Sequence, residues 1–403
     1  MARGRNGRVL HQTYQLNDMK KVFPFAILLG ALFFYYFITW GSLQNFNQKF
    51  DTCESLFCDF IIHYYPTAQS VFESKEPVYG YLYSPFFAIL TSPLANLPIE
   101  SATQIWGIIQ IILTLLLFIA PLSTLQLDSL KRQLIYTGIF FTSLPVLHNF
   151  KWGQVSALMP LTIIAAWIAH QKGKPIWAGI LLGFSTSIKY YPGIFILYFL
   201  LKKDKHTVFS FILTCFVLLF LLPIFILGFD GWFNFMNVAI QKLSILSDTI
   251  SNPNTQYFPY VLIRLLDIDT SRLFVIKALR YFSLGIALFN IVLLWLVNKN
   301  KLDSNGLISI SLLFCTLPFL IETSWHHYFI FLPFLQISFL LFEGKIWLKI
   351  LSILSIILSS IFIFNFFPNW ESYTKWGFSL FSSLAILISL YLLIFTTLTK
   401  GNK

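Results

Sequence analysis

Residues 170–206 read HQKGKPIWAGILLGFSTSIKYYPGIFILYFLLKKDKH, and the way this stretch meets a bilayer decides the fold. Its two ends, 170–174 and 202–206, are basic, and the bias of Lys and Arg toward the cytoplasm puts both on one side. An even number of crossings must then separate them. The 26 residues from Ile176 to Leu201 are too few for two full spans of about 20 residues each. The stretch therefore predicts two short paired helices that meet at Lys189-Tyr190-Tyr191-Pro192, partway into the membrane or near its outer face. Pro192 stands at the start of the second helix, where a missing N–H costs least. Lys189 becomes a cation held within the bundle, which requires a partner or a polar cavity.

The same pattern extends outward. Of 403 residues, 57% are hydrophobic and 11% charged, against about 25% charged in soluble domains. Apolar runs cover 22–44, 104–122, 133–147, 155–170, 177–188, 190–201, 207–228, 273–297, 306–321, 328–342, 346–366 and 376–398. They predict an all-α polytopic membrane protein with about 12 helices, a single domain over 1–403 with both termini cytoplasmic. The net charge of +11 gathers on the cytoplasmic segments, which argues against nucleic acid as a partner. The basic residues 1–21 lead into an apolar run with no small-residue cleavage site, so a retained first helix is expected. On the outer side lie the loops 45–103 and 229–272, each long enough to carry interfacial helices. Candidates are the Pro-bounded run 86–97 and the amphipathic run 231–246. Shorter outer turns fall at 148–154, 322–327 and 367–375.

Residues fit for chemistry collect on that outer side. The first loop contains CDFIIHYYPTAQSVFESKEPVYGYLYSPFFAILTSP, residues 58–93. On a helix, Asp59 and His63 share a face, with Tyr64 and Tyr65 beside them, and such a carboxylate can deprotonate a hydroxyl. By spacing alone a solvated loop acid is the commoner meaning, and Asp51 and Glu54 compete. Lys189 needs an anion, either a lipid phosphate or an acid such as Asp59. The turn His148–Gln154 and the pair His326 and His327 offer polar groups for a phosphate or hydroxyl, or plain interface anchors. One of Arg264, Arg272 and Arg280 is expected to clamp a phosphate. Cys53 and Cys58 form either a disulfide, if their loop faces an oxidising compartment, or two free thiols. The chain has no Gly-rich phosphate loop, Walker lysine, zinc spacing or G-x-S-x-G elbow. A cytoplasmic site consuming nucleotides is thus disfavoured.

An ordered set of short motifs resembles glycosyltransferase family 87, membrane enzymes of the GT-C superfamily. In the first loop these are Asp59-Phe-x-x-x-Tyr64-Tyr65, Pro77-x-Tyr79, Tyr83-Ser84-Pro85-x-Phe87 and Pro93-Leu94, followed by Trp106. Asn149–Gln154, Ala178–Gly183 and Ile188–Pro192 make a second block, and Trp325–Tyr328 a later outer turn. The second block is also similar to mannosyltransferases that build glycosylphosphatidylinositol anchors. Ser84 departs from the family pattern, where proline is common.

The resemblance implies a GT-C-type bundle and a hexose, mannose first, moved with inversion from a polyprenyl-phosphate donor to a lipid or glycan acceptor on the extracytoplasmic face. It carries the catalytic-base role onto Asp59. Lys189, His326, His327 and Arg264 are expected to neutralise the donor phosphate, and His63, Tyr64, Tyr65, Gln154 and Tyr190 to position substrate. No cofactor is required on this scheme, although first-loop acids are compatible with a divalent metal. Membrane lipids are the remaining partners, and a bacterial inner membrane the expected location. Competing functions are a transporter or flippase of lipid-linked sugars, a noncatalytic scaffold, and a polysaccharide polymerase or ligase with a diphosphate-lipid donor.

Overall fold

The computed structural model describes residues 30, 56–125, 127, 129–244, 250, 252–342 and 345–401. The first apolar run apart from Gly30, and with it Asp51, Cys53 and Glu54, lies outside the described residues. The first loop holds a π-helical turn, Phe60–Tyr64, then α1 (Tyr65–Ser70) and α2 (Pro85–Thr91). Next come α3 (Ile99–Ile119), α4 (Leu130–Phe141), α5 (Leu144–Trp152) and α6 (Leu158–Gln171). The central stretch forms α7 (Pro175–Ile188), α8 (Ile196–Leu201), α9 (Lys205–Phe216) and α10 (Leu222–Ser244). The remainder forms α11 (Phe258–Leu265), α12 (Leu273–Lys299), α13 (Leu307–Leu320), α14 (Leu332–Leu340) and α15 (Ile346–Leu358). Short α16 (Ile361–Phe364) and α17 (Trp370–Thr374) precede the last helix, α18 (Phe378–Gly401).

Among the described residues, four helical runs, Ile99–Ser123, Lys205–Val238, Leu273–Lys299 and Trp370–Thr399, are long and apolar enough to cross a membrane, and six shorter apolar helices accompany them. No strand occurs among the described residues. An all-α polytopic membrane fold follows, because a bilayer core accepts only backbone that satisfies its own hydrogen bonds.

The decisive stretch does fold as two short helices. Lys189 is extended (φ −124°, ψ 129°) and ends α7, and a 3₁₀ turn, Tyr191–Phe195, with Pro192 in its first turn, leads into α8. α7 packs between α6 and α9. Its glycines set the spacing: a Cβ at Gly179 would lie 2.0 Å from Ser210 Oγ and 2.3 Å from the Thr207 carbonyl, and one at Gly183 would lie 2.7 Å from Thr214 Cβ. Small residues four apart let the backbones approach closely, which is the main source of helix attraction in lipid. Gly179→Leu is expected to force α7 off α9, at a cost of about 1–3 kcal/mol or more. Loss of the monodisperse peak in detergent size-exclusion chromatography would register it; an unchanged profile and Tm would mean that the contact is soft.

In the C-terminal half, Gln336 Nε2 donates to Ser355 Oγ at 3.0 Å and Ser359 Oγ at 2.8 Å, tying α14 to α15. Such bonds contribute about 0.6 kcal/mol each. One sequence expectation changes. The residues 148–152 are not an outer turn but the end of α5, a new helix begun at Leu144-Pro145 and stopped by Gly153 at φ 65°. The amphipathic run 231–246 is, through residue 244, a helix of its own within the span given for α10, set off from the part before it by the non-helical Gly228 (φ 76°, ψ 170°).

Candidate active site

The first loop, the end of α5, the break after α7 and the turn before α14 converge on Lys189. Its side chain is 6% exposed. The ammonium donates to Ser156 Oγ at 2.7 Å and Gln154 Oε1 at 3.3 Å, and lies 4.4 Å from the Tyr328 ring and 5.0 Å from the Tyr83 ring. Gln154 Oε1 also accepts from Tyr83 at 2.6 Å and Tyr64 at 3.2 Å, and the Tyr64 hydroxyl donates to that of Tyr83 at 2.6 Å. The Asp59 carboxylate, 8% exposed, is close enough to act electrostatically on Tyr64, Tyr83 and Lys189. Burial first, and then Asp59 among other neighbours, hold both tyrosines well above the usual phenol range, so their hydroxyls stay protonated donors.

Local structure explains the convergence. In the π turn the Tyr65 N–H reaches back five residues to the Phe60 carbonyl, a widened turn of a kind often found at functional sites. Tyr64, five residues after Asp59, thereby joins the cluster, while His63 is half-buried beside it. Ser84 caps α2 by accepting from Phe87 N–H, and its own hydroxyl donates to the Ser187 carbonyl. Its N–H reaches the Ile188 carbonyl at 3.4 Å, a bond that a proline could not make. The departure from the family pattern thus fastens the first loop next to Lys189. Gln154 is delivered by Gly153, whose positive φ favours glycine and where a Cβ would lie 2.8 Å from Phe57 Cβ. Trp106 Nε1 donates to the Gly153 carbonyl at 2.9 Å.

A second group adjoins the first. His148 lies 5.5 Å from His327 and 5.7 Å from His326, ring to ring, and 4.9 Å from Trp370. His326 Nδ1 meets Ser379 Oγ at 2.7 Å. His326 Nε2 and both ring nitrogens of His327 are buried and have no hydrogen-bond partner among the described residues. These histidines sit in the 3₁₀ turn His326–Phe329 that precedes α14. Burial, and then His148 and Arg264 for His326 or Lys189 and the other imidazoles for His327, push both well below the usual histidine range. Neutral rings can hydrogen-bond a phosphate oxygen or a hydroxyl, but they bring no charge to it. Lys151, buried in the same region, is pushed down to about 8 by burial.

The other candidates divide. Arg264 borders the histidines and donates to the backbone carbonyls of Asn252 at 3.3 Å and Thr255 at 2.6 Å. Arg280 pairs with Glu322 at 2.6 Å, and Arg272 is exposed at the start of α12. The Tyr65 hydroxyl donates to the Leu97 carbonyl at 2.7 Å, bracing the loop, and Tyr190 is 39% exposed with its hydroxyl 3.7 Å from Met236 Sδ. Cys58 is disulfide-bonded, whereas Cys215 and Cys315 are free. Among the described residues no trio of His, Cys, Asp or Glu is arranged to hold a metal. Sequence reasoning misses Ser156 and Trp370. Ser156 is an ordinary serine in sequence, and Trp370 belongs to a C-terminal segment without a motif.

The family model of glycosyltransferase family 87 matches residues 81–322, more than half of the chain, and the chain belongs to that family. A polyprenol-phosphate-mannose-dependent alpha-(1-2)-phosphatidylinositol mannoside mannosyltransferase of Mycolicibacterium smegmatis is 28% identical over 139 residues, covering 32% of this chain and 31% of that protein. Its namesake in Mycobacterium tuberculosis is 25% identical over 170 residues, covering 38% of each. The chain thus matches about a third of the length of these curated relatives. No solved structure matches.

Proposed function

With membership of glycosyltransferase family 87 as the premise, we propose that the chain transfers a hexose, mannose in first place, from a polyprenyl-phosphate donor to a lipid or glycan acceptor on the extracytoplasmic face of a bacterial inner membrane. The observation that carries this reading is the Lys189 ammonium, buried and hydrogen-bonded by neutral groups, with the Asp59 carboxylate across the same cluster. A cation so held suits an anionic substrate. The disulfide at Cys58 supports an outward-facing loop, since disulfides persist in oxidising compartments. The names of the two mycobacterial relatives support the mannosyl donor.

In this mechanism Asp59 takes the proton of the acceptor hydroxyl and the freed oxygen attacks the anomeric carbon. The bond from that carbon to the phosphate oxygen breaks with inversion, and the electron pair leaves with the polyprenyl phosphate. Lys189 offsets the charge that develops on the phosphate, with Arg264 as a more distant cation. His326 and His327 hydrogen-bond phosphate or sugar oxygens, while Gln154 and the Tyr64 and Tyr83 hydroxyls fix the head group between base and cation.

The test is transfer by purified protein in nanodiscs from labelled polyprenyl-phosphate mannose to membrane glycolipids, read by mass spectrometry. A new glycosidic bond is expected, formed equally well in EDTA because side-chain cations do the neutralising. Movement of the lipid-linked sugar across the membrane without bond formation would overturn the transferase reading. Activity lost in EDTA and restored by a divalent ion would overturn the metal-free mechanism alone.

A further inference from the structure

Away from Lys189, α12, α13 and α18 leave an apolar groove of about 580 Å³ between them. Gly285 keeps it open, since a Cβ there would meet nothing within 4 Å. Phe282, Phe289, Phe319 and Leu387 line it, and Phe282 is 58% exposed, so the groove opens sideways toward lipid. It follows α12 from Tyr281 to Phe289, a rise of about 12 Å at 1.5 Å per residue. Buried polar bonds close that inner end: the Tyr391 hydroxyl donates to Asn290 Oδ1, and Asn290 Nδ2 donates to Thr316 Oγ1 at 3.0 Å.

The other end runs into the scaffolding of the candidate site. Phe258, on the groove wall, follows Gln256, whose N–H donates to the Ser324 carbonyl at 2.6 Å. Phe319 leads in turn through residues 321–325 to His326 and His327. Beside this end the Arg280–Glu322 ion pair, with the Tyr260 hydroxyl donating to Glu322 at 2.8 Å, presents donors and acceptors without net charge. Such a mouth suits the hydroxyls of a sugar head group better than a free phosphate.

We infer that this groove seats one hydrocarbon chain of a glycolipid acceptor, whose sugar reaches the histidine turn from the Arg280–Glu322 side. The inference rests on the transferase reading above. A slender chain of about ten methylenes fills a groove closed after about 12 Å, whereas a long polyprenyl chain would overrun it. The donor phosphate belongs at Lys189.

The test uses the full chain in phosphatidylcholine nanodiscs and decyl mannoside bearing a mid-chain diazirine. Photolabelling should map to groove residues of α12, α13 or α18 and be displaced by excess unlabelled decyl mannoside but not by polyprenyl phosphate. Gly285→Leu, which fills the groove, should cut labelling by about tenfold, equivalent to about 1.4 kcal/mol of binding. Gly285→Ala, a smaller intrusion, should retain most of it. Displacement by polyprenyl phosphate would assign the groove to the donor chain. Labelling displaced by neither lipid, or unchanged in Gly285→Leu, would make it ordinary membrane-facing surface. Either result overturns the inference, and the wild-type competition decides the matter even if a variant fails to fold. A wild type that makes no glycosidic bond from polyprenyl-phosphate mannose would instead defeat the transferase reading, whatever the labelling pattern.

Discussion

Asp59→Asn is expected to lower sugar transfer by about 10²–10⁴-fold while the protein still inserts, elutes as a single species and keeps its Tm. The substitution keeps the size and shape of the side chain while removing its charge and its capacity to take a proton. Asp59 precedes the π turn without capping it through its side chain, so asparagine removes no cap. The hydroxyls of Tyr64 and Tyr83 and the amide of Gln154 are bonded to one another, so that part of the cluster can persist without the carboxylate. What asparagine cannot do is accept the acceptor's proton as the new bond forms. Asp59→Glu lengthens the side chain by one methylene and should retain a small fraction of activity with unchanged donor KM, because positioning rather than charge is what it loses. Transfer by Asp59→Asn near the wild-type rate would remove Asp59 as the base and return the role to an acid such as Asp51 or Glu54.

The contrast between Asp59 and the histidines marks what can be read from sequence. Charge placement and helix length are enough to require two short helices around Lys189, because both are counted along the chain and obey the bilayer's dimensions. Hydropathy cannot place Pro145 at the start of a second helix, so the residues from His148 to Trp152 read as a turn when they are α5. Nor can it reveal the π turn, which depends on a single five-residue backbone bond and brings Tyr64 into the cluster. The roles of Ser156, Trp370 and Ser84 arise from contacts between segments distant in sequence: Ser156 from Lys189, Trp370 from His148, and Ser84 from Ser187. Such pairs leave no periodicity. The histidines are legible as residues but not as charges, since their neutrality follows from burial beside one another.

Lys189→Met should produce the complementary result: transfer down by about 10²–10³-fold, as for loss of a preorganised transition-state contact, in a protein at least as stable as the wild type. Methionine nearly matches the volume of lysine and can fill the same space against the Tyr83 and Tyr328 rings. It gives up two hydrogen bonds, to Ser156 and Gln154, but Gln154 keeps the Tyr83 donor at 2.6 Å. Holding an ammonium away from water costs more than those two bonds return, and that cost disappears with the charge. Replacing buried ionic groups by apolar ones of similar size is often neutral or stabilising. On the proposed mechanism, a residue that is expensive to bury is retained for what it does to a substrate. Lys189→Arg keeps the charge but not the compact shape that fits between two rings. It should therefore recover donor binding better than kcat. If Lys189→Met instead unfolds the protein and polyprenyl-phosphate binding is unchanged in the arginine variant, the ammonium is a structural strut, and the phosphate must be held by Arg264 or Lys151.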